Sequence, residues 1–287
     1  MAYSAELTRR FDSIQFIQQE HGYFGHPQLP PFSTMFDYID SVFSNFNAMT
    51  PNELKDSGIV ENQRAQFIRE VWISECPTHL SNDETMEAVL QLEEENEKPE
   101  CVSLRIWIKL TNLKKGLAFL QTHDLQSLSL ELILMVHTLI FDDLDSEIGG
   151  KIRTVQVKAN GRMTSYAPCD KIKTRLEQLI QFVNTQMQER KHEVKHALKV
   201  SSLFFSEFLH IHPFKNGNGR TARLLMQFLL RRIMVVPFSL YLENKNAREI
   251  YLDTISSAQQ FNEDSQFAVY CTMCAWRNSH CINYLLL

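Results

Sequence analysis

Twelve residues, His212 to Arg223 in the stretch LHIHPFKNGNGRTARLL, hold an imidazole, a Gly217-Asn218-Gly219 turn and two guanidinium groups, Arg220 and Arg223. Glycines let successive backbone amides turn to one side, which makes an anion nest. The nest opens onto a helix N-terminus, where unpaired N–H groups and the dipole favour phosphate. Arg220 falls in the first turn of that helix and Arg223 one turn later, roughly on the same side. Guanidinium forks suit bridging phosphoryl oxygens. His212, at the lip, titrates near neutral pH and can take a proton from a hydroxyl attacking phosphorus. Each residue alone has a plainer reading: a helix-end histidine, a turn, two surface charges. The joint spacing is what points to a polyphosphate cradle with a general base. Lys215 reads as solvated, with a phosphate within its reach as the alternative.

Helices must carry this loop. Before it, residues 193–210 place Ala197, Val200, Leu203, Phe204 and Phe208 so that nearly every side is apolar, the pattern of a central buried helix. After it, Leu224, Leu225, Phe228 and Leu229 give a second core helix over 220–232, with Pro237 ending the region. Further helices are expected at 33–46, 82–98, 103–123 (where Ile106, Trp107 and Ile108 could also pass for strand), 128–141, 171–190, 246–261 and 265–278. Thr50, Pro51 and Glu53 spell a capped helix start. The β-branched Ile152, Val155 and Val157, bounded by glycines, read as a short hairpin within 149–161. The expected fold class is all-α with one hairpin.

The segment resembles the signature of the Fic (filamentation induced by cAMP) domain family, H-P-F-x-[D/E]-G-N-G-R-x-x-R, through His212, Pro213, Phe214, Gly217, Asn218, Gly219, Arg220 and Arg223. "GGKIR", "YAPCDKI" and "TARLLMQFLL" resemble the family's surroundings, and the likeness covers roughly residues 105–270. The resemblance implies a Fic-like helical bundle whose β-hairpin flap, here Arg153, Thr154, Val155, Gln156 and Val157, clamps a target peptide. It implies His212 as the base for a Ser, Thr or Tyr hydroxyl, Gly217, Asn218 and Gly219 at the phosphates, Arg220 near the β-phosphate and Arg223 on the γ-phosphate. Tyr251 and Gln259 would lie near the nucleotide base; packing within its helix is the other role for Tyr251. The implied activity is protein adenylylation: AMP moves from ATP to the target and pyrophosphate leaves. Alternatives are a nucleotide-binding regulatory module with little turnover, removal of AMP from a modified protein, and transfer of another nucleotide.

Two features bear on regulation. Position 216 is Asn where the family usually has an Asp or Glu that binds Mg²⁺. An amide oxygen can ligate a hard cation but brings no charge, so Mg²⁺ (or Mn²⁺) binding at Asn216 is expected to be weakened. Ser57, Glu61 and Asn62 match the family's inhibitory pattern [S/T]-x-x-x-E-[G/N]. That resemblance implies a helix near 57–68 whose Glu61 pairs with Arg223 and displaces the γ-phosphate. The plainer alternative is an ordinary helix start, with Ser57 capping and Glu61 solvated.

With 287 residues, 44% hydrophobic, the chain can build a large core. We divide it into an N-terminal helical region, 1–104, and a Fic-like catalytic region, 105–287. The formal charge of −5 argues against generalised nucleic-acid binding. No run has the length of a membrane span, and charges interrupt the N-terminus too early for a signal peptide. Six dispersed cysteines read as free thiols in a reducing compartment, such as the cytoplasm; Cys271 and Cys274 alone make a poor zinc site. The implied partner is a target protein; homodimerisation is left open.

Overall fold

The computed structural model describes residues 2–18, 23–26, 29–75, 89, 98–100, 102–122, 127–157, 165–190, 193–240 and 246–286. Within them the helices run α1 (Ala2–Ser13), α2 (Phe32–Asn47), α3 (Pro51–Ser57), α4 (Ile59–Glu75), α5 (Leu104–Thr122), α6 (Leu130–Leu139), α7 (Ile172–Glu189), α8 (Val194–Ile211), α9 (Asn218–Leu230), α10 (Ala247–Phe261) and α11 (Asp264–Leu286). The fold is all-α. Among the described residues the β structure is confined to isolated bridges, such as Tyr23 with His26.

Sequence chemistry sets several boundaries. Thr50 and Glu53 form a reciprocal capping box at the start of α3, and Gly58, in the left-handed region at φ 62°, ends it and releases α4 in a new direction. Ser129 caps α6 by accepting from Leu132 N. Most of the expected helix at 82–98 lies outside the described residues.

α8 sits at the centre, buried along almost its whole length, and packs against α9, α7 and α11. α9 is nearly as buried and also touches α4, α5 and α6. A loop strung between two such helices is held at both ends. The N-terminal segment is tied to the same core. Arg10 of α1 makes a bidentate pair with Asp264 (2.8 and 2.9 Å) and a second pair with Glu207 of α8, all three side chains being buried. Burial alone would raise the Glu207 carboxyl, but His210 and Arg10 outweigh it and hold it at about 2.

Three side-chain amides clasp both backbone groups of another residue: Asn184 on Leu128, Asn218 on Phe214 and Gln227 on Phe238. Each satisfies a peptide that the helix ladders leave unpaired. No helix among the described residues is long and apolar enough to cross a membrane. Cys271 and Cys274 are buried free thiols on α11.

Candidate active site

His212 terminates α8 in the left-handed conformation, φ 50° and ψ 61°, its N–H donating to Phe208 O. A non-glycine residue there stores on the order of 1 kcal/mol of strain, so its surroundings must hold it. Arg153 does so twice, through Nε to His212 O at 2.7 Å and through its backbone N to Pro213 O at 2.9 Å. The imidazole Nδ1 lies 3.1 Å from Leu209 O. A carbonyl can only accept, so Nδ1 carries a proton, and in the neutral ring the lone pair then falls on Nε2, the form a general base needs. The ring of Tyr166 stacks on the imidazole, with centroids 3.7 Å apart and planes 12° from parallel.

Phe214 is fully buried and anchors the loop. Asn218 locks the next turn: its Oδ1 accepts from Phe214 N and its Nδ2 donates to Phe214 O. The side chain expected at the phosphates is thus spent on loop closure, which leaves the first-turn amides of α9 as this segment's contribution to an anion site. Gly217 has φ 77°, and a Cβ there would meet the Phe141 ring at 2.6 Å, so glycine is required on both counts. Lys215 and Asn216 are exposed.

Arg220 lies over the Phe141 ring, 5.1 Å from its centroid, and Arg223 lies over Tyr251 at 4.8 Å and Phe205 at 5.9 Å. Both arginines are buried, at 8% and 2% exposure, which makes their charges strong local determinants of what can bind beside them. Tyr251 therefore belongs to the site as the aromatic seat of Arg223, and it also packs edge-on against Phe205 and Phe267. Gln259, two turns further along α10, is half-buried and makes no polar contact with the loop among the described contacts.

At three places the described geometry gives the sequence expectations no direct contact. Asn216 Oδ1 accepts from Gly217 N at 2.7 Å, so the oxygen expected at a metal is turned into the loop. No grouping of three or more His, Cys, Asp or Glu suited to a metal occurs among the described residues. A neutral oxygen already engaged by an amide does not fit Mg²⁺ held by the chain at this position. The flap is the second. Residues 151–157 follow an irregular path, and residues 158–164 lie outside the described set. Arg153, expected to face a target, is 2% exposed and points inward, with Nη2 on Ala167 O (2.6 Å) and Nη1 near Val155 O and Cys169 Sγ (3.1 Å each). The carbonyls at the end of α8 attract a cation more strongly than solvent does. Thr154, Val155 and Gln156 are exposed and Val157 half-buried, so the outward face of the segment rests on them. The third is Glu61, which is exposed in the first turn of α4 and makes no ion pair with the buried Arg223 among the described contacts. Ser57 closes α3, its Oγ accepting from Ile59 N and donating to Leu54 O, and Asn62 is an exposed first-turn residue of α4.

The sequence reading missed His137. It is fully buried on α6 and stacked on Phe214, with centroids 3.6 Å apart. Its Nε2 donates to Asn216 O (3.0 Å), and its Nδ1 accepts from Gly150 N (2.9 Å). One neutral imidazole therefore latches the phosphate loop to the turn that precedes Arg153. Burial is the main reason its pKa falls to about 4, helped by the nearby Arg220 and opposed by the Asn216 carbonyl. The cue in the sequence is an imidazole inside an apolar run, which by itself says only that it is buried.

Residues 127–230, a stretch that contains α6 to α9, match the Fic/DOC family. Among curated proteins, "Protein adenylyltransferase Fic" of Aedes aegypti is 30% identical over 133 residues, 46% of this chain and 25% of that protein. The chain thus spans about a quarter of the length of that relative. Among solved structures, Fic-1 of Caenorhabditis elegans (residues 134–508) superposes with a TM-score of 0.72 at 19% identity, covering 89% of this chain and 72% of that one. A Fic-domain-containing signaling protein of Bacteroides thetaiotaomicron also gives 0.72 at 19% identity, over 88% and 96%. At that identity these two structures establish the shared fold.

Proposed function

We propose that this chain is a protein adenylyltransferase, which moves AMP from ATP to a Ser, Thr or Tyr hydroxyl of a target protein. The observation that carries the reading is the tautomer of His212: with Nδ1 tied to Leu209 O, its lone pair sits on Nε2, four residues ahead of an amide- and arginine-lined loop. The target hydroxyl attacks the α-phosphorus in line with the bridging oxygen to the β-phosphate. As the new O–P bond forms, the proton passes to His212 Nε2, and the α–β bond breaks to release pyrophosphate. Arg220 and Arg223 offset the charge gathering on the departing phosphates, and the α9 amides hold the remainder. The exposed Thr154, Val155 and Gln156 would receive the target segment. The names of the curated relatives support this assignment.

The second reading is a nucleotide-binding module with little turnover. It is favoured by one observation, the turned-in amide of Asn216. ATP labelled at the α- or the γ-phosphate separates the readings. Protein-bound label from α-labelled ATP alone, abolished by His212→Ala, supports adenylyl transfer. Label that persists in His212→Ala defeats the assignment of His212 as base, and tight ATP binding without any transferred label supports the module. Restraint by Glu61 remains a separate proposal, to which the exposed position of that side chain lends no contact.

A further inference from the structure

The imidazole of His212 has three sides to account for. Its Nδ1 edge is tied to Leu209 O, its Nε2 edge is the one that accepts a proton, and one face is covered by Tyr166. The Tyr166 backbone is itself sewn to the end of α8. Ala167 N donates to His210 O at 3.3 Å, Arg153 Nη2 donates to Ala167 O at 2.6 Å, and Gln156 Nε2 donates to Tyr166 O at 3.2 Å. Tyr166 is half-buried, so part of the phenol ring remains at the surface beside the site.

From this we infer that Tyr166 is a positioning residue for the proton-accepting histidine, setting the plane of the imidazole and stabilising its charged form. A hydrogen bond at Nδ1 acts along one line and does not by itself fix the plane of an imidazole. A parallel aromatic plane at 3.7 Å fixes it, because rotation would drive one edge of the imidazole into the phenol. The Nε2 lone pair is thereby aimed in one direction, as proton transfer from a bound hydroxyl requires. The electron-rich face of the tyrosine also attracts the imidazolium that forms when the proton arrives. The same geometry rules out Tyr166 as the acceptor of the transferred group from this arrangement. In a parallel stack its hydroxyl lies above the imidazole plane, whereas the Nε2 lone pair lies within it.

Arg153 contacts the His212 backbone carbonyl, and His210 pairs with Glu207 one turn back on α8, at 3.6 Å. Neither contact involves the Tyr166 side chain. The inference rests on the reading of His212 as base, but its first test does not need turnover. Histidine imidazole signals of the full chain are followed by NMR as a function of pH in wild type, Tyr166→Phe and Tyr166→Leu, with His212→Gln to assign the signal. Tyr166→Phe should titrate with wild type, and in Tyr166→Leu the His212 pKa should fall by about half a unit. Unchanged signals from the other histidines show that the fold is intact, and Tyr166→Ile stands in should the leucine variant not fold. In the transfer assay, loss of the ring should lower kcat about tenfold at unchanged KM for ATP, with Tyr166→Phe restoring it. The inference is overturned by a leucine variant that titrates like wild type, or by a phenylalanine variant that behaves like leucine. Absence of transfer by the wild type would remove the proposed function and leave the titration to decide the role of the stack.

Discussion

Acid should unlatch the phosphate loop through His137. In the folded chain this imidazole has a pKa near 4, against 6.5 for an ordinary histidine. The folded value lies below the unfolded one, so between these limits the unfolded chain binds a proton that the folded chain refuses. Stability is therefore whole above about pH 6.5 and declines as pH falls toward 4. At 1.36 kcal/mol per unit, the full gap is worth about 3 kcal/mol. The structural cause is specific: protonation would place a second N–H on Nδ1, facing the Gly150 N–H that now donates to it. The perturbation is His137→Gln, which can keep a donor and an acceptor but does not titrate. Urea unfolding of both proteins at pH 7 and pH 4.5 isolates the effect, since every other group is common to the two. Between these pH values wild type should lose about 2–3 kcal/mol more than His137→Gln. Equal losses would refute the claim that a buried neutral imidazole holds this loop.

Other substitutions test neighbouring parts of the account. Gly217→Ala places a Cβ 2.6 Å from the Phe141 ring on a backbone at φ 77°, and should cost about 1–3 kcal/mol of stability and weaken ATP binding; melting and calorimetry report the two effects. Asn216→Asp supplies the missing charge, so Mg²⁺ should strengthen ATP binding more in the variant than in wild type; an unchanged Mg²⁺ effect would mean the side chain stays turned toward Gly217. Glu61→Gly should leave the rate of labelling from ATP within about twofold, because an exposed, unpaired carboxylate of this kind contributes little. A large rise would show that α4 moves to bring Glu61 onto Arg223.

The helices could be read from the sequence because their patterns are local. The apolar spacing that marks α8 and α9 as central, and the Thr50–Glu53 box, need no knowledge of distant residues. The loop from His212 to Arg223 was legible for the same reason, since its chemistry is contiguous. What escaped were choices between rival partners. Arg153 faced a choice between solvent and the carbonyls at the end of α8, and the carbonyls won. The Asn216 amide took a backbone N–H one residue away in place of an outward role, and Asn218 took Phe214. His137 and Tyr166 acquire their roles from residues 79 and 46 positions later in the chain, a relation that no spacing rule reveals. The short pattern at Ser57–Asn62 fits an ordinary helix start as well as an inhibitory one, and in the structure Ser57 closes α3 with its Oγ accepting from Ile59 N.

The central claim is that His212 and the loop behind it transfer a nucleotide to protein. Intact mass spectrometry of wild type and His212→Ala, after incubation with ATP and a panel of acceptor proteins, tests it directly. The account predicts the added mass of one AMP on wild type itself or on an acceptor, and none with His212→Ala. The same adduct formed by His212→Ala, or a mass increase of a lone phosphate, would contradict it.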